Sequence, residues 1–533
     1  LQGATEQPQS TGKQDERREH GQVGLVFPAD RRYIDHMNHV QATAQIQAEK
    51  KYSPVSASRQ GKHPGRRLLT WIAVFVFLAG HLPPLPFSPA PAHAFTIGEE
   101  REVGEKLLTI VRKEFTILDD PDLTQYITLL GRQTLQLAGS QFFDYHFFII
   151  DNKEFNAFAA PSGLIFFHSG LIDLCATEGE LVSVLAHEIG HAASRHIADR
   201  ISKSAKVNVA TTAAMLAGLL LGQGALSQAL ITGSMAGGAL AGLKFSRQDE
   251  EEADRLAYKW MKEQDRDPAE MVAMLKKMRR ASRYHRTQLP TYLLTHPEPE
   301  HRIGYVEDKI HLDEPRRYPA QDEFAFQRFK YRVQTLTGNM QSVVAILKNR
   351  AAEPDVLEKD PMVFFGLSQA YQSLRDYPAA EEALRAVIRR YPQRHILKTD
   401  LGRLKLEAGE TREAMAIFQE RNRENPYDVY NTFYLARALQ LDGQLAQAAA
   451  IYENLIEQLP TYSKLYFEIG RIRAALGNHA LGHYNLALFY HYEGAVPSAR
   501  HHLDLALKET QNNDALRAKI QELQKRISRL EKM

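Results

Sequence analysis

Apolar residues recur at helical spacing from Ile97 to Ala138, through Val103, Leu107, Val111 and Phe115 and then Leu123, Ile127 and Leu130, which predicts a covering layer of helices. Two short aromatic and β-branched runs follow, Tyr145 to Ile150 and Leu164 to His168, each bounded by turn residues and each read as a strand. Thr177-Glu-Gly-Glu180 has the form of a capping box ahead of Leu181, Val184, Leu185, Ile189 and Ala192, so a helix begins there. A second amphipathic run opens at Glu250 and continues through Leu256, Ala257, Trp260 and Met261.

After a charged connection, Glu307 to Gln321, the pattern changes. Pro392, Pro426 and Pro460 recur at intervals of 34 residues. So do Gly409, Gly443 and Gly477, the small residues Gly402, Ala436 and Gly470, and Ala380, Ala414 and Ala448. Small residues at fixed places let paired helices approach and the glycines reverse the chain, which is the tetratricopeptide period. Flanking helices at Phe324 to Leu336, Met340 to Arg350 and Tyr484 to Leu507 extend the stack irregularly, and Asn513 to Leu530 reads as a polar capping helix. A repeat array can be a mere spacer, but its concave surface suits peptide or protein binding.

The 533 residues are enough for two or more domains with ordinary cores. A net charge of +2 and the lack of any Lys/Arg block argue against a nucleic-acid surface. Cys175 is the one cysteine, so no intramolecular disulfide forms, and Ile172 and Leu174 suggest a buried thiol. Residues 1–65 lack hydrophobic periodicity and have no methionine before Met37; they are read as disordered or untranslated, with translation starting at or after Met37. Arg66-Arg67, the apolar run Leu68 to Gly80 and Ala92-His-Ala94 describe a secretory signal over 66–94, cut near Ala94, the apolar core being short for a bilayer span. A retained anchor is the alternative.

The candidate chemistry lies in Leu185-Ala-His-Glu-Ile-Gly-His191. At roughly 100° per residue, two histidines four apart stand about 40° apart on one helical face. His187 and His191 are therefore candidate zinc ligands, and Glu188, offset around the helix, is the candidate general base. A third ligand must come from elsewhere. Glu250-Glu-Glu-Ala-Asp254 supplies it: Glu250 would bind the metal, and Asp254, on the same face, would accept the outer N–H of a ligand histidine. Taken alone, that stretch also reads as a solvated acidic run.

The helix motif, Glu250-Glu-Glu-Ala-Asp254 after Phe245-Ser-Arg247, and Thr295-His-Pro-Glu-Pro-Glu-His-Arg302 resemble in order and spacing the minigluzincin zinc metalloproteases that include HtpX and the CaaX prenyl proteases. With a signal-like segment before and helical repeats after, the arrangement is most similar to the periplasmic BepA group. The resemblance covers Thr96 to Arg302 closely and the rest in architecture. It implies a mainly α chain: an α+β zincin-type catalytic domain with a small sheet over 95–310, then an all-α tetratricopeptide-repeat solenoid over 320–533. It implies one zinc ion per chain and points to Glu250 over Glu251 or Glu252. It also implies that Asn156-Ala157 sits on an edge strand and holds the substrate backbone by strand addition; the residues alone equally suit a plain turn. Ser162 stands where related sequences often carry glycine.

His296 precedes a proline and so lies outside regular helix. The matching histidine in related enzymes borders the metal, leaving two roles: donor to the oxyanion, or a fourth ligand that holds the enzyme latent. We favour the latch over both the donor and a loop histidine touching nothing. Val207 to Leu243 carries no charge and is rich in Ala, Gly and Leu, which predicts a packed or interfacial hairpin, with membrane contact as its rival. The expectation is an exported periplasmic zinc endopeptidase acting on misfolded or misassembled envelope proteins, its repeats binding substrate or outer-membrane assembly machinery. The alternatives are a periplasmic chaperone or assembly scaffold, against which an intact Glu188 argues, and a membrane-embedded HtpX-like protease.

Overall fold

Residues 95–203, 208–221, 244–284, 291–510 and 513–532 are described by the structure, a computed structural model. The expected extension 1–65, the expected signal 66–94 and all of the expected hairpin except 208–221 lie outside the described residues.

The N-terminal layer forms two helices. α1 (Ile97–Glu114) starts in a capping box between Thr96 and Glu99, and α2 (Pro121–Ala138) starts with Asp120 accepting from two backbone N–H groups and proline in the first turn. Three strands follow: β1 (His146–Ile150), β2 (Ala157–Ala160) and β3 (Leu164–His168). Their order is β1-β3-β2, with β1 parallel and β2 antiparallel to β3, so β1 and β2 are both edges. Between β2 and β3, Ser162 adopts φ +67°, a left-handed conformation that glycine takes more readily than serine.

α3 (Ser169–Leu174) leads into α4 (Glu178–Ala193), α5 (His196–Lys203) and α6 (Val209–Leu221). Only half of the expected capping box forms on α4. Thr177 accepts from Glu180 N–H, but the Glu180 carboxylate reaches past the cap to Ala176 N–H at 2.6 Å and to Lys277. α7 (Arg247–Glu263), α8 (Ala269–Tyr284), α9 (Thr291–Thr295) and α10 (Pro299–Leu312) complete this part. The charged connection therefore begins at Asp313, because Glu307 to Leu312 continue α10, whose Ile303 and Val306 are buried.

Alternation along the strands divides the core. Phe147, Ile149, Ile165 and Phe167 pack with Leu181, Val184, Leu185 and Ile189 of α4. Phe148, Ile150, Leu164 and Phe166 pack with Val103, Leu107 and Val111 of α1 and with Ala213 and Leu216 of α6. The described arm of the uncharged stretch is thus buried against α1 and the sheet. No helix among the described residues is long and apolar enough to cross a membrane.

The remainder is helical: α11 (Phe324–Thr337), α12 (Met340–Ala351), α13 (Val356–Lys359), α14 (Met362–Ser373), α15 (Tyr377–Arg390), α16 (Ile396–Glu407), α17 (Thr411–Glu424), α18 (Val429–Leu441), α19 (Leu445–Gln458), α20 (Ser463–Ala475), α21 (His479–Tyr492), α22 (Val496–Glu509) and α23 (Asp514–Lys532). Gly409, Gly443 and Gly477 turn paired helices with φ between +81° and +89°. The helix expected over Tyr484 to Leu507 is two, reversed at Gly494 with φ +71°.

α11 belongs to two cores at once. Phe326, Phe329 and Val333 pack with the sheet and α4, while Phe324 and Tyr331 pack with α14 and α15. Its buried Arg328 forks onto Asp400 of α16 (2.7 and 2.8 Å) and reaches Asp122 of α2 (2.7 Å). Arg332 holds Asp120 (2.8 and 3.0 Å) and the Tyr430 hydroxyl (3.2 Å). Charges this deeply buried are tolerable only when paired, so the repeats are locked onto the sheet-bearing part in one register.

Candidate metal centre

α4 and α7 bring the two halves of the site together, and Gly190 permits their approach. A Cβ on Gly190 would stand 3.1 Å from Ala253 Cα, tighter than side chains normally pack. Placing Ala253 there sets Glu250 and Asp254, three residues before it and one after, against the histidines of α4. α9 then delivers His296, whose N–H donates to Tyr292 C=O at 2.8 Å. The structure thus groups His187, His191, Glu250 and His296, all buried.

The spacings test whether an ion fits. Donors at about 2.0–2.1 Å from one tetrahedral centre lie roughly 3.3 Å apart. Here His187 Nε2 is 3.0 Å from His191 Nε2 and 3.3 Å from His296 Nδ1. Glu250 Oε1 is 3.4 Å from His191 Nε2 and 2.9 Å from His296 Nδ1, and Glu250 Oε2 is 3.6 Å from His187 Nε2. Three imidazoles and a carboxylate at tetrahedral spacing are a zinc donor set.

Surrounding groups hold the rings in ligating form. His187 Nδ1 lies 2.9 Å from Asp254 Oδ1, and Arg302 forks onto the same carboxylate at 2.7 and 2.8 Å. Burial works against the Asp254 charge, but Arg302 and His187 outweigh it and bring the carboxyl down to about 2. Burial and the adjacent His187 keep His191 well below the usual imidazole range, hence neutral, which is the state that binds a metal. Burial likewise opposes the charge on Glu250, yet His296 and Arg302 hold its carboxyl well below the ordinary range.

Glu188 is fully buried beside this cluster. Its Oε2 accepts from Ala159 N–H at 2.9 Å, and Oε1 has no hydrogen-bond partner. His296 Nε2, also without one, lies 3.7 Å from that oxygen. On β2, Asn156 C=O accepts from His168 N–H, so even-numbered residues face β3 and Ala157 and Ala159 point off the free edge toward α4. Asn156 and Ala157 are both buried here, Asn156 just before the strand and Ala157 as its first residue.

Four further residues shape the site. Arg302 was visible only as the end of a motif. His196 lies 2.9 Å from the outer nitrogen of His191, Phe245 stacks on His191 with centroids 3.9 Å apart, and Tyr292 stacks on His296 at 4.3 Å. Tyr292 and His296 share a helical face, a signal available in principle; Phe245 stands in the sequence only as the start of Phe245-Ser-Arg247.

The sequence model of peptidase family M48 matches residues 121–310, and that of the tetratricopeptide repeat matches 362–394 and 431–462. Over 121–310 the chain is similar to peptidase family M48. The beta-barrel assembly-enhancing protease of Escherichia coli (strain K12) is 33% identical over 231 residues, 43% of this chain and 47% of the relative. The Yersinia pestis protein of that name is 28% identical over 330 residues, 61% of this chain and 67% of the relative. The mitochondrial metalloendopeptidase OMA1 of Schizosaccharomyces pombe is 28% identical over 185 residues, 35% and 52% respectively. The chain spans about half the length of the first curated relatives it matches. The M48 match takes in α2 through most of α10, including every member of the metal cluster.

Proposed function

We propose that the chain is a zinc-dependent endopeptidase in which His187, His191 and Glu250 hold the metal and Glu188 is the general base. The observation that carries this reading is the grouping of buried donors at tetrahedral spacing with a carboxylate oxygen, Glu188 Oε1, left free beside them. Bound zinc would polarise a scissile carbonyl and acidify water. Glu188, steered through its other oxygen by Ala159 N–H, takes the proton from the attacking water and returns it to the leaving amine. Asp254 fixes the ring of His187 and is itself fixed by Arg302.

The free edge of β2 gives the substrate its place. The outward backbone groups of Ala157 pair with an extended chain, and recognition through backbone tolerates varied side chains. Asn156 orients that chain at its entry. His296 acts as a fourth ligand that holds the enzyme latent; its donor nitrogen lies within the same spacing as the other three.

The substrates are misfolded or misassembled proteins of the cell envelope, and the location is periplasmic. The name of the relatives and the signal-like pattern of 66–94 support this. The repeats dock the enzyme on outer-membrane assembly machinery. The assignment is tested with purified protein, zinc analysis and an unfolded protein substrate. Glu188→Gln keeps zinc and loses on the order of 10²-fold or more in cleavage; zinc lost together with activity refutes the role of base.

A further inference from the structure

The three-stranded sheet has two edges, and the metal centre uses one. β1 forms the other, and only its C-terminal end is covered. Leu118 N–H donates to Ile149 C=O (2.8 Å) and Asp151 N–H to Thr116 C=O (2.9 Å), an antiparallel bridge centred on Ile117 and Ile150. These bonds show that the odd-numbered residues of β1 face away from β3. The chain then leaves the edge, because Leu118 C=O accepts from Asp120 N–H. Ile149 N–H and both backbone groups of Phe147 are left facing outward with no partner among the described residues.

This bare edge is the floor of a cavity of about 860 Å³. α1 stands on one side with Arg101 and Leu108, and α2 on the other with Ile127, Thr128 and Arg132. The loop between α19 and α20 closes one end, where Arg112 donates to Thr461 C=O and Tyr462 donates to Asp119 C=O. α1 packs on one face of the sheet and α2 on the other, so both overhang the edge and leave the slot that a fourth strand would occupy. An unpaired edge inside a cavity is costly to leave dry, and strand addition satisfies it.

The existing bridge sets the direction. A strand continuing the antiparallel register of Thr116 to Leu118 starts at the repeat loop and ends beside Tyr145 and His146. Arg132 lines that end from α2 and Arg101 from α1, three residues before the Gly104 that packs on Ser162; Asp144 lines the same end, and neither arginine has an ion-pair or hydrogen-bond partner among the described residues. Arg132 is near enough to add to the effect of burial in lowering the pKa of His146, against the opposing charge of Asp144. Glu100, the neighbour of Arg101, adds to burial in raising the pKa of Tyr145.

We propose that this slot binds the C-terminal end of an extended polypeptide, its main chain pairing with β1 as a fourth strand and its terminal carboxylate held by Arg101 and Arg132. Side chains alternate toward Leu108 and Ile127, so the fitting segment is rich in apolar and β-branched residues. The site needs no metal and lies on the sheet edge opposite β2, so it adds a second handle beyond the peptidase assignment.

The test uses the full chain carrying Glu188→Gln, so that no peptide is cut, and a short fluorescent peptide of alternating Val and Thr. Fluorescence anisotropy compares the free carboxylate, the C-terminal amide and a proline-interrupted version. The carboxylate form binds on the order of tenfold more tightly than the amide, and the proline version does not bind. Arg101→Glu with Arg132→Glu, at exposed positions, removes the preference for the carboxylate, and Thr128→Trp, which fills the slot, removes binding. Removal of zinc by a chelator leaves binding unchanged. Equal affinity of acid and amide, or a preference that survives the double substitution, overturns the proposal. Binding lost with the metal places the peptide on β2 and overturns it too. Cleavage by the wild-type enzyme is a separate readout, so the peptidase assignment and this site fail independently.

Discussion

Tyr292 lies under His296 with ring centroids 4.3 Å apart and planes 16° apart, and the backbone bond between them fixes the histidine to the last turn of α9. The imidazole is thereby held in the metal cluster by a short helix. If His296 is a latch, His296→Ala raises basal cleavage of an unfolded substrate while zinc stays on the other three donors. Activity that falls at unchanged zinc content makes His296 a stabiliser of the transition state and ends the latch reading.

Glu250 and Glu188 divide their duties, one toward metal and one toward the proton. Glu250→Gln lowers zinc affinity, read by competition with a chromophoric chelator, whereas Glu188→Gln leaves it unchanged. Zinc retained in the first and lost in the second would exchange their roles.

Asp254 orients His187 without belonging to the cluster. Asp254→Asn weakens zinc binding by about 10–100-fold, the range seen when a ligand's outer partner is altered. Affinity equal to that of the wild type would show that Arg302 and packing suffice to aim the ring.

Gly190 sets the distance between α4 and α7. Gly190→Val adds atoms where a Cβ already meets Ala253 at 3.1 Å. The cost is about 1–3 kcal/mol from overpacking, seen in denaturant midpoint, together with weaker zinc binding as Glu250 moves away. An unaltered midpoint and affinity would mean that the helices shift without disturbing the site.

The joint between the catalytic part and the repeats is acid-sensitive. Burial raises the Asp120 carboxyl, but Arg332 dominates and brings it down to about 2 from the ordinary 3.8. A folded pKa below the unfolded one contributes stability above about pH 4 that is lost as the pH falls toward 2. Asp120→Asn keeps the cap of α2, since asparagine caps as well as aspartate, but lowers stability at neutral pH and flattens the loss between pH 4 and 2. Denaturation midpoints across that range check it; parallel curves for the two proteins would deny the ion pair its role.

Local spacing was enough for much of this protein. His187 and His191 had to share a helical face once Leu181 to Ala192 formed a helix, and Glu188 had to be offset from them, because those relations are set by the 3.6-residue turn. The repeat turns at Gly409, Gly443 and Gly477 followed equally from a period in which each hairpin packs on its neighbour. Other features depended on contacts between residues far apart in the chain. The overextended reach of Glu180 needed Lys277, the continuation of α10 through Leu312 needed a core for Ile303 and Val306, and the stacking of Phe245 on His191 needed the loop ahead of α7 to fold over α4. No spacing could show that α11 would serve two cores, or that Arg328 and Arg332 would find Asp120, Asp122 and Asp400 across the joint. The turn of a helix is set within a few residues, whereas burial of a charge depends on every element that closes over it, and only the tertiary structure decides which those are.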